Sequence, residues 1–317
     1  MYYIGVDLGG TNIAVGIMDE SYSLIAKDKV PTKAKRHADE IVRDMATLAA
    51  SLVERTGLDF SEIGGMGVAA PGAVDNASGT VKCCNNINMD QYPIVEKLKE
   101  LLPITHFALA NDADTAALAE AKLGAGKGCN NLVMVTLGTG VGGGIVVDGK
   151  LVTGSNGFGG EIGHMVISHG GRACSCGRRG CFEAYSSATA LKQITKEHMR
   201  RAHGSLMWSL CDGDIDSVSA RTPFMAAKQG DRTGGEVVST YMEYLACGIT
   251  NLINIFQPEV LCIGGGVCGE GEYLLAPLRG IIDREQYGTH VNDRKTELRI
   301  AQLGNGAGII GAALICL

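Results

Sequence analysis

The sequence predicts an α/β fold with two similar halves, because a strand, a glycine-rich turn and a second strand occur twice along the chain. Residues 2–18 form the first such segment, and residues 132–147 form the second, about 130 residues later. Apolar residues recur at helical spacing over 38–55, and another helix is expected over 113–123, after a strand at 107–110. We therefore expect duplicated halves that each offer a glycine turn to one ligand.

The first glycine turn, residues 7–12, reads DLGGTN and has the composition of an anion site. Gly9 and Gly10 allow backbone N–H groups to approach an anion closely, and Thr11 adds a hydroxyl donor. Asp7 ends the first strand, where a carboxylate could hold a metal ion that accompanies phosphate. A hairpin without a ligand explains this turn equally well when it is considered alone.

Three further glycine loops strengthen the phosphate interpretation. The second turn contains Gly138, Thr139 and Gly140, and Gly265 and Gly266 follow a strand predicted at 260–263. The last loop, residues 303–308, opens the C-terminal helix. One glycine loop is a weak signal, but four that adjoin regular elements favour a phosphate-binding protein.

The remaining pattern predicts connecting elements. A strand is expected at 63–69, and the asparagine-rich stretch 83–88 is interpreted mainly as turns. Helices are predicted at 94–102, from 182 to about 202 and at 236–256, with a less regular segment around 208–219.

Asn111 and Asp112 stand where a strand meets a helix, and two interpretations remain open. An Asn-Asp pair at such a junction is an ordinary N-cap. Alternatively, Asp112 lies at the carboxyl end of a strand, where α/β sheets bind ligands. There it could accept a proton from a substrate hydroxyl, as the catalytic aspartate of kinases does.

A cluster of metal-ligand residues lies within 159–183. His164, Cys174, Cys176 and Cys181 provide one imidazole and three thiolates, the donor set of a closed structural zinc site. Such a shell leaves no open position for chemistry, so the zinc would staple the loop. Glu161 and Glu183 belong to the same stretch but are not needed by the metal, and a rigid loop could present them to a polyhydroxylated ligand.

Composition narrows the class of protein. The net charge is −6 at pH 7 and the pI is about 5.7, which argues against a nucleic-acid surface. The first ten residues predict a strand, so no signal peptide is expected, and no apolar run approaches the roughly 20 residues that span a bilayer. The 11 cysteines, an odd number in apolar surroundings, predict reduced thiols and a cytoplasmic protein without membrane contact.

Five motifs occur in order over nearly the whole chain: DLGGT at 7–11, ND at 111–112, LGTGVGGG at 137–144, GEIGH at 160–164 and CSCGRRGCFE at 174–183. Together they resemble the ROK family of repressors, open reading frames and sugar kinases. The cysteine motif is specific to that family. Within it, the likeness is greatest to bacterial ATP-dependent glucokinases, through the segments GITNLIN and LGNGAGIIGAA.

The resemblance implies an actin/hexokinase-like (ribonuclease-H-like) ATPase fold with two domains around a cleft and a zinc-stapled loop at 164–181. The small α/β domain would comprise residues 1–110 plus 305–317, and the large α/β domain residues 111–304. The implied activity is ATP-dependent phosphorylation of a hexose, with glucose to glucose 6-phosphate as the first candidate.

Roles follow motif by motif from the resemblance. Asp112 would be the general base on the sugar 6-hydroxyl. The implied sugar-binding residues are Asn111, Glu161, His164 and Glu183. The implied ATP-binding residues are Asp7, Gly9, Gly10, Thr11, Gly138, Thr139, Gly140, Gly265 and Gly266, with Asp7 orienting Mg²⁺. The implied ligands of a structural Zn²⁺ are His164, Cys174, Cys176 and Cys181.

Three other functions share parts of this pattern. The sugar-facing set is shared by kinases for fructose, mannose, allose and N-acetylhexosamines, so the hexose stays open. A sugar-sensing regulator of the family would carry an N-terminal DNA-binding domain, whereas the DLGGT motif follows the start at once. An actin-like ATPase would have no use for the zinc loop. A homodimer or homotetramer is expected, with the helix at 236–256 as an interface.

Overall fold

The computed structural model describes residues 1–84, 86–288, 290–291 and 294–317, which form two compact units. The first unit comprises Met1–Asn131, Gly144–Gly160 and Gln302–Leu317, and the second comprises Leu132–Gly143 and Glu161–Ala301. These units are defined by the contacts between their residues. The predicted division into two domains near residue 110 stays a prediction. Asn85, in the asparagine-rich stretch predicted to form turns, lies outside the described residues.

The described strands are β1 (Tyr2–Leu8), β2 (Asn12–Met18), β3 (Leu24–Pro31), β4 (Ile63–Ala70), β5 (Ala73–Asp75), β6 (Thr80–Cys83), β7 (Phe107–Asn111), β8 (Leu132–Leu137), β9 (Val141–Val147), β10 (Lys150–Leu151), β11 (Val260–Gly264) and β12 (Glu297–Ile300). The described α-helices are α1 (Ala38–Thr56), α2 (Ile94–Leu101), α3 (Asp112–Leu123), α4 (Glu183–Ser186), α5 (Ala188–Met199), α6 (Leu206–Ser209), α7 (Thr222–Lys228), α8 (Arg232–Phe256), α9 (Glu272–Glu285) and α10 (Ala307–Leu314).

The first unit is built on a five-stranded sheet in the order β3-β2-β1-β4-β7. The strands β1, β2 and β3 are antiparallel neighbours, whereas β4 and β7 run parallel to β1. The alternating apolar residues of β1 and β2 face a core that helix α1 covers with its buried stripe. The parallel half places the carboxyl ends of β1, β4 and β7 at one edge, where α/β sheets bind ligands.

Helix α10 packs so closely on this sheet that the backbone of the helix contacts the backbone of the strands. A Cβ atom added at Gly5 of β1 would lie 1.9 Å from the Ile309 carbonyl oxygen, and one at Gly67 of β4 would lie 1.7 Å from that of Ala312. On the other side of the helix, a Cβ at Gly311 would lie 1.9 Å from the carbonyl oxygen of Thr115 in α3. Only glycine fits at these positions, so the C-terminal helix is held firmly against β1 and its site residues.

In the second unit, β8, β11 and β12 are parallel neighbours, and β9 follows β8 in the sheet order. All five residues of β11 are buried, the expectation for a central strand of a parallel sheet. Helix α8 buries a long apolar stripe. A Cβ at its Gly248 would lie 2.2 Å from the ring of the fully buried Phe182. The Phe182 ring therefore packs directly against the backbone of the helix.

The structure corrects several predicted boundaries. The helix predicted from 182 to about 202 is broken at Ser187, whose extended backbone separates α4 from α5 and whose hydroxyl accepts from the Ala190 amide. Helix α8 begins at Arg232, four residues before the predicted start, because Asp231 caps it through Gly234. The final helix begins at Ala307, after a 3-10 turn at Gly304–Gly306.

Among the described residues, no helix has both the length and the apolar character that crossing a bilayer requires.

Candidate functional site

The first glycine turn borders a cavity of about 680 Å³ within the first unit. The lining includes Asp7 from the end of β1, Gly9, Gly10 and Thr11 from the turn, and Asn305 from the 3-10 turn before α10. Strands β1 and β2 bring these groups together because they form a tight antiparallel hairpin, in which the Gly9 amide donates to the Asn12 carbonyl at 2.9 Å. The turn is thus ordered by its own backbone, and its residues border a space large enough for a polyphosphate chain.

Thr32, just beyond β3, forms two hydrogen bonds to the backbone of this turn. Its hydroxyl donates to the Gly9 carbonyl at 2.6 Å, and its amide donates to the Thr11 carbonyl at 2.9 Å. Thr32 is completely buried, so both bonds are shielded from competing water. A single threonine after a strand carries no distinctive pattern, so the sequence does not mark this residue as part of the site.

Asp7 is a partly buried carboxylate at the wall of the cavity. A Cβ atom at Gly308 in α10 would lie 2.5 Å from its carboxylate oxygen, so the helix approaches this side chain closely. Burial, and secondarily the negative charge of Asp112, raise the pKa of Asp7 to about 6. Two carboxylates that repel one another beside a glycine turn are suited to a cation between them and an anionic ligand.

The N-cap interpretation of the Asn-Asp pair is confirmed, and the catalytic role of Asp112 stays a prediction. The Asn111 side-chain oxygen caps α3, accepting from the Ala113 amide at 2.8 Å, and its nitrogen donates to the Gly72 carbonyl at 2.8 Å. Asp112 is exposed at the first position of α3, and its Oδ1 accepts from the Ala113 amide at 2.8 Å. The cap therefore holds the junction, and the exposed carboxylate of Asp112 lies close enough to Asp7 to raise its pKa.

In the second unit the four predicted zinc ligands converge. The ligand atoms of His164, Cys174, Cys176 and Cys181 all lie within 4.8 Å of one another. The Cys174 sulfur is 3.6 Å from Nδ1 of His164, and the sulfurs of Cys176 and Cys181 are 3.7 Å apart. These separations match the edges of a tetrahedron whose bonds to a central zinc are roughly 2.0–2.3 Å long.

The pKa values of two thiols in this cluster are shifted in opposite directions. The backbone N–H of Arg178 lowers the pKa of Cys176 by stabilising its thiolate. Burial, together with the neighbouring sulfurs, raises the pKa of Cys181 to about 12. A bound cation would reverse that burial effect, because a coordinated thiol loses its proton. Backbone bonds shape the loop around the donors, including one from the Phe182 amide to the Met165 carbonyl at 2.7 Å.

Glu183 links this loop to the second glycine turn. Its Oε2 accepts from the Val141 amide at 3.0 Å, and its Oε1 accepts from the Ser175 hydroxyl at 3.1 Å. The buried Phe182 anchors α4 against α8 and so directs the next residue, Glu183, toward the turn. Glu161, the other predicted carboxylate, is exposed immediately before the 3-10 turn at Ile162–His164.

Two carbonyl groups of the second glycine turn accept hydrogen bonds from the start of α5. The Gly138 carbonyl accepts from the Ala188 amide at 2.8 Å, and the Thr139 carbonyl accepts from the Thr189 hydroxyl at 2.8 Å. A Cβ at Gly138 would meet no heavy atom within 4 Å, so the turn presents open space there. The start of α5 therefore fixes the turn and leaves this surface free for a ligand.

Gly265 and Gly266 lie beside this turn, at the end of β11. Gly265 has a φ of 90°, and a Cβ there would lie 2.3 Å from the Leu137 carbonyl oxygen. No heavy atom lies within 4 Å of the position that a Cβ of Gly266 would take. The two predicted glycine loops of the second unit thus come together at the carboxyl ends of the neighbouring parallel strands β8 and β11.

The structure brings the predicted residues together within each unit. Asp7, the first glycine turn and Asp112 are neighbours in the first unit, while the zinc ligands, Glu183 and the other two loops are neighbours in the second. Thr32 was not predicted from the sequence, and neither were Lys27 and Lys29, two lysines that line the first cavity. Strand β3, which carries the lysines, was itself not predicted, because three consecutive charged residues interrupt its apolar residues.

Comparisons with known proteins agree with this organisation. The sequence description of the ROK family matches residues 3–317. A glucokinase of Thermotoga maritima is 36% identical over 317 residues, covering 98% of this chain and 96% of that protein. An N-acetylgalactosamine kinase of Shewanella sp. is 32% identical over 325 residues, covering 99% of this chain and 96% of that protein.

A solved structure is similar to this chain in fold as well as in sequence. The ROK family glucokinase of Streptomyces griseus, crystallised with glucose and AMPPNP, aligns with a TM-score of 0.80 and 33% identity, covering 99% of each chain. The actin/hexokinase-like fold expected from the motifs is thereby confirmed. The chain belongs to the ROK family.

Proposed function

We propose that this protein is an ATP-dependent hexose kinase that phosphorylates the 6-hydroxyl of a hexose, with glucose as the first candidate. The observation that carries the proposal is the arrangement in the first unit. There the exposed carboxylate of Asp112 lies near Asp7, which lines a cavity bordered by a glycine turn. This combination supports a proton acceptor close to a phosphate-binding site, as phosphoryl transfer to an alcohol requires.

Asp112 is the proposed general base. It would accept the proton of the sugar hydroxyl as that oxygen attacks the γ-phosphorus, and the bond to the β,γ-bridging oxygen breaks to release ADP. Its exposed position at the start of α3 suits contact with a substrate, and the Asn111 cap keeps the helix end in place. Positioning and charge neutralisation, rather than covalent catalysis, would lower the barrier.

The sugar is proposed to contact Asn111, Glu161, His164 and Glu183. Asn111 donates one amide hydrogen to Gly72 and keeps a second for a sugar hydroxyl. If His164 holds zinc through Nδ1, the atom nearest to Cys174, its Nε2 remains for a hydroxyl. Polar partners of this kind, once a bound sugar excludes water from them, discriminate against a sugar that lacks the matching hydroxyl.

The donor is proposed to be ATP with Mg²⁺. Gly9, Gly10 and Thr11 would bind phosphates in the first unit. The corresponding groups in the second unit are Gly138, Thr139 and Gly140, with Gly265 and Gly266 beside the adenosine. Asp7 would orient the Mg²⁺, which when bound neutralises charge on the transferred phosphoryl group.

A structural zinc ion is proposed for His164, Cys174, Cys176 and Cys181. Bound there, zinc would cross-link the loop and take no part in the reaction, because four protein donors fill a tetrahedral shell. The protein is proposed to be cytoplasmic, where its thiolate ligands would stay reduced. It is proposed to form a homodimer or homotetramer, which light scattering during size-exclusion chromatography would contradict by finding a monomer at micromolar concentration.

The deciding experiment measures ATP-dependent ADP release with glucose, mannose, fructose, allose and N-acetylhexosamines. A strong preference for glucose would support the proposal. N-Acetylgalactosamine belongs in the panel because of the similarity to the Shewanella kinase. Preference for an N-acetyl sugar would retain the base and the donor site but change the substrate. Lack of turnover with every sugar would count against a kinase acting on hexoses.

A further inference from the structure

Strand β3 forms one wall of the cavity beside the first glycine turn. Lys27 and Lys29 both line the cavity, and both are exposed while the residues between and beside them are partly buried. Alternate residues of a strand point to the same face, so the two ammonium groups lie on one side of the sheet. None of the proposed ATP-binding residues comes from this strand.

The register of the sheet relates these lysines to the site. Lys29 pairs with Ala14 of β2, and Ala14 pairs with Asp7 of β1. The three residues therefore form one row across the sheet, with a small side chain in the middle. Neighbouring strands lie about 4.8 Å apart, so the row spans roughly 10 Å between the Cα atoms of Lys29 and Asp7. A lysine side chain of about 6 Å can extend well into that space.

The charges of this wall are unbalanced. Asp28, between the two lysines, is paired with Arg55 at 2.7 Å. Neither Lys27 nor Lys29 forms an ion pair within 4.0 Å anywhere in the described part of the chain. Two cations that form no ion pair with a described residue thus line the same cavity as the glycine turn, together with Asp7 and the already paired Asp28. A ligand with several negative charges would balance them.

We propose that Lys27 and Lys29 are donor-binding residues that contact the phosphate chain of ATP. The inference deepens the proposed kinase function and rests on it. The turn amides would bind one side of the chain, and the ammonium groups would donate hydrogen bonds to phosphate oxygens on the other. Thr32 ties the end of β3 to the turn, which keeps the lysine wall at a constant distance from the amides.

The test compares Lys27→Gln, Lys29→Gln and the double variant with the unaltered protein. Calorimetry measures binding of AMPPNP with Mg²⁺, and separately of adenosine, which has no phosphate. We expect each single variant to bind AMPPNP about three- to tenfold more weakly, with adenosine affinity unchanged. AMPPNP binding by the unaltered protein should weaken between about 50 and about 300 mM KCl, and the double variant should show a shallower dependence.

Lys99→Gln is the matched control, because Lys99 is an exposed lysine of the same unit on α2 and does not line the cavity. It should leave both affinities unchanged. Equal losses for AMPPNP and adenosine, or no loss for either, would overturn the inference. The two claims can fail separately. A wild-type protein that binds AMPPNP but phosphorylates no hexose would contradict the proposed function and leave the role of the lysines intact.

Discussion

The carboxylate of Glu183 accepts a 3.0 Å hydrogen bond from the backbone amide of Val141, 42 residues earlier in the chain. The bond joins the end of the cysteine loop to the residue that follows the second glycine turn. The other carboxylate oxygen accepts from Ser175 within the cysteine loop. A side chain proposed to bind sugar is therefore held by the same turn that is proposed to bind phosphate.

Gly140→Ala should disrupt this relationship. The new Cβ would lie 2.2 Å from Oε2 of Glu183, so the carboxylate must move. We expect the KM for sugar to rise about tenfold or more, because misplacing a binding group by about an ångström strongly weakens its contact with the substrate. Steady-state kinetics with the preferred hexose measure this effect.

Gly138→Ala is the control for that change, because its Cβ meets no heavy atom within 4 Å. It should leave the KM for sugar within about twofold, although it could weaken ATP binding at the open surface of the turn. Equal sugar KM values for the two variants would contradict the coupling through Glu183.

Asp112→Asn should retain sugar binding and lose turnover by about three orders of magnitude or more, because the amide cannot accept the hydroxyl proton. Calorimetry measures the binding and ADP release measures the rate. Asp148→Asn, at an exposed turn of the same unit, serves as the control. Activity of Asp112→Asn within tenfold of wild type would remove the general-base assignment.

Cys176→Ser should release zinc and destabilise the cysteine loop. Elemental analysis is expected to find about one zinc per chain in the wild-type protein and much less in the variant. We expect the Tm to fall by about 5 °C or more, since ligand loss removes binding free energy from the folded state.

Cys83→Ser, at an exposed cysteine outside the cluster, should keep its zinc. A full complement of metal in Cys176→Ser would show that the proposed ligand set is wrong.

Asp7→Asn should change how stability depends on pH. The pKa of Asp7 is raised from 3.8 to about 6, so the folded protein retains a proton that the unfolded chain releases. That contribution to stability is complete below about pH 4 and is lost as the pH rises through about 6. Asparagine has no such loss, so the variant should gain on the order of 1–3 kcal/mol relative to wild type between about pH 4 and pH 7.

Urea unfolding at several pH values, without added Mg²⁺ or nucleotide, measures this difference. Asp148→Asn should show no corresponding trend. A difference between Asp7→Asn and wild type that stays constant across the range would mean that Asp7 titrates normally in the folded protein.

Thr32→Val should weaken the hold on the first glycine turn. Valine has nearly the same shape but cannot donate to the Gly9 carbonyl, which accepts the threonine hydroxyl at 2.6 Å. We expect the KM for ATP to rise about three- to tenfold and stability to fall by about 1 kcal/mol. Thr32→Ser restores the donor and should recover the KM. If serine fails to restore ATP binding, packing rather than the hydrogen bond supports the turn.

Local patterns along the chain were enough to predict much of this protein. Glycine turns flanked by β-branched residues predicted both hairpins, and the spacing of one histidine and three cysteines predicted the cluster that the structure brings within 4.8 Å. Such signals survive in sequence because backbone conformation and ligand chemistry each demand particular residue types at short separations.

Other features depend on contacts between distant segments. Strand β3 and its lysines were missed, because three consecutive charged residues interrupt its apolar residues. The break at Ser187 was missed because the helical pattern continues through it. Thr32 and the link from Glu183 to Val141 join residues 23 and 42 positions apart, respectively.

The sequence by itself thus determined the α/β class, the family resemblance and the types of residue that are proposed to bind phosphate and metal. Only the tertiary structure decided that the pKa of Asp7 is raised by burial and by Asp112, and that β3 lines the same cavity as the glycine turn. The physical reason is that burial and electrostatic interaction depend on distances through space, which folding sets between residues that no short pattern connects.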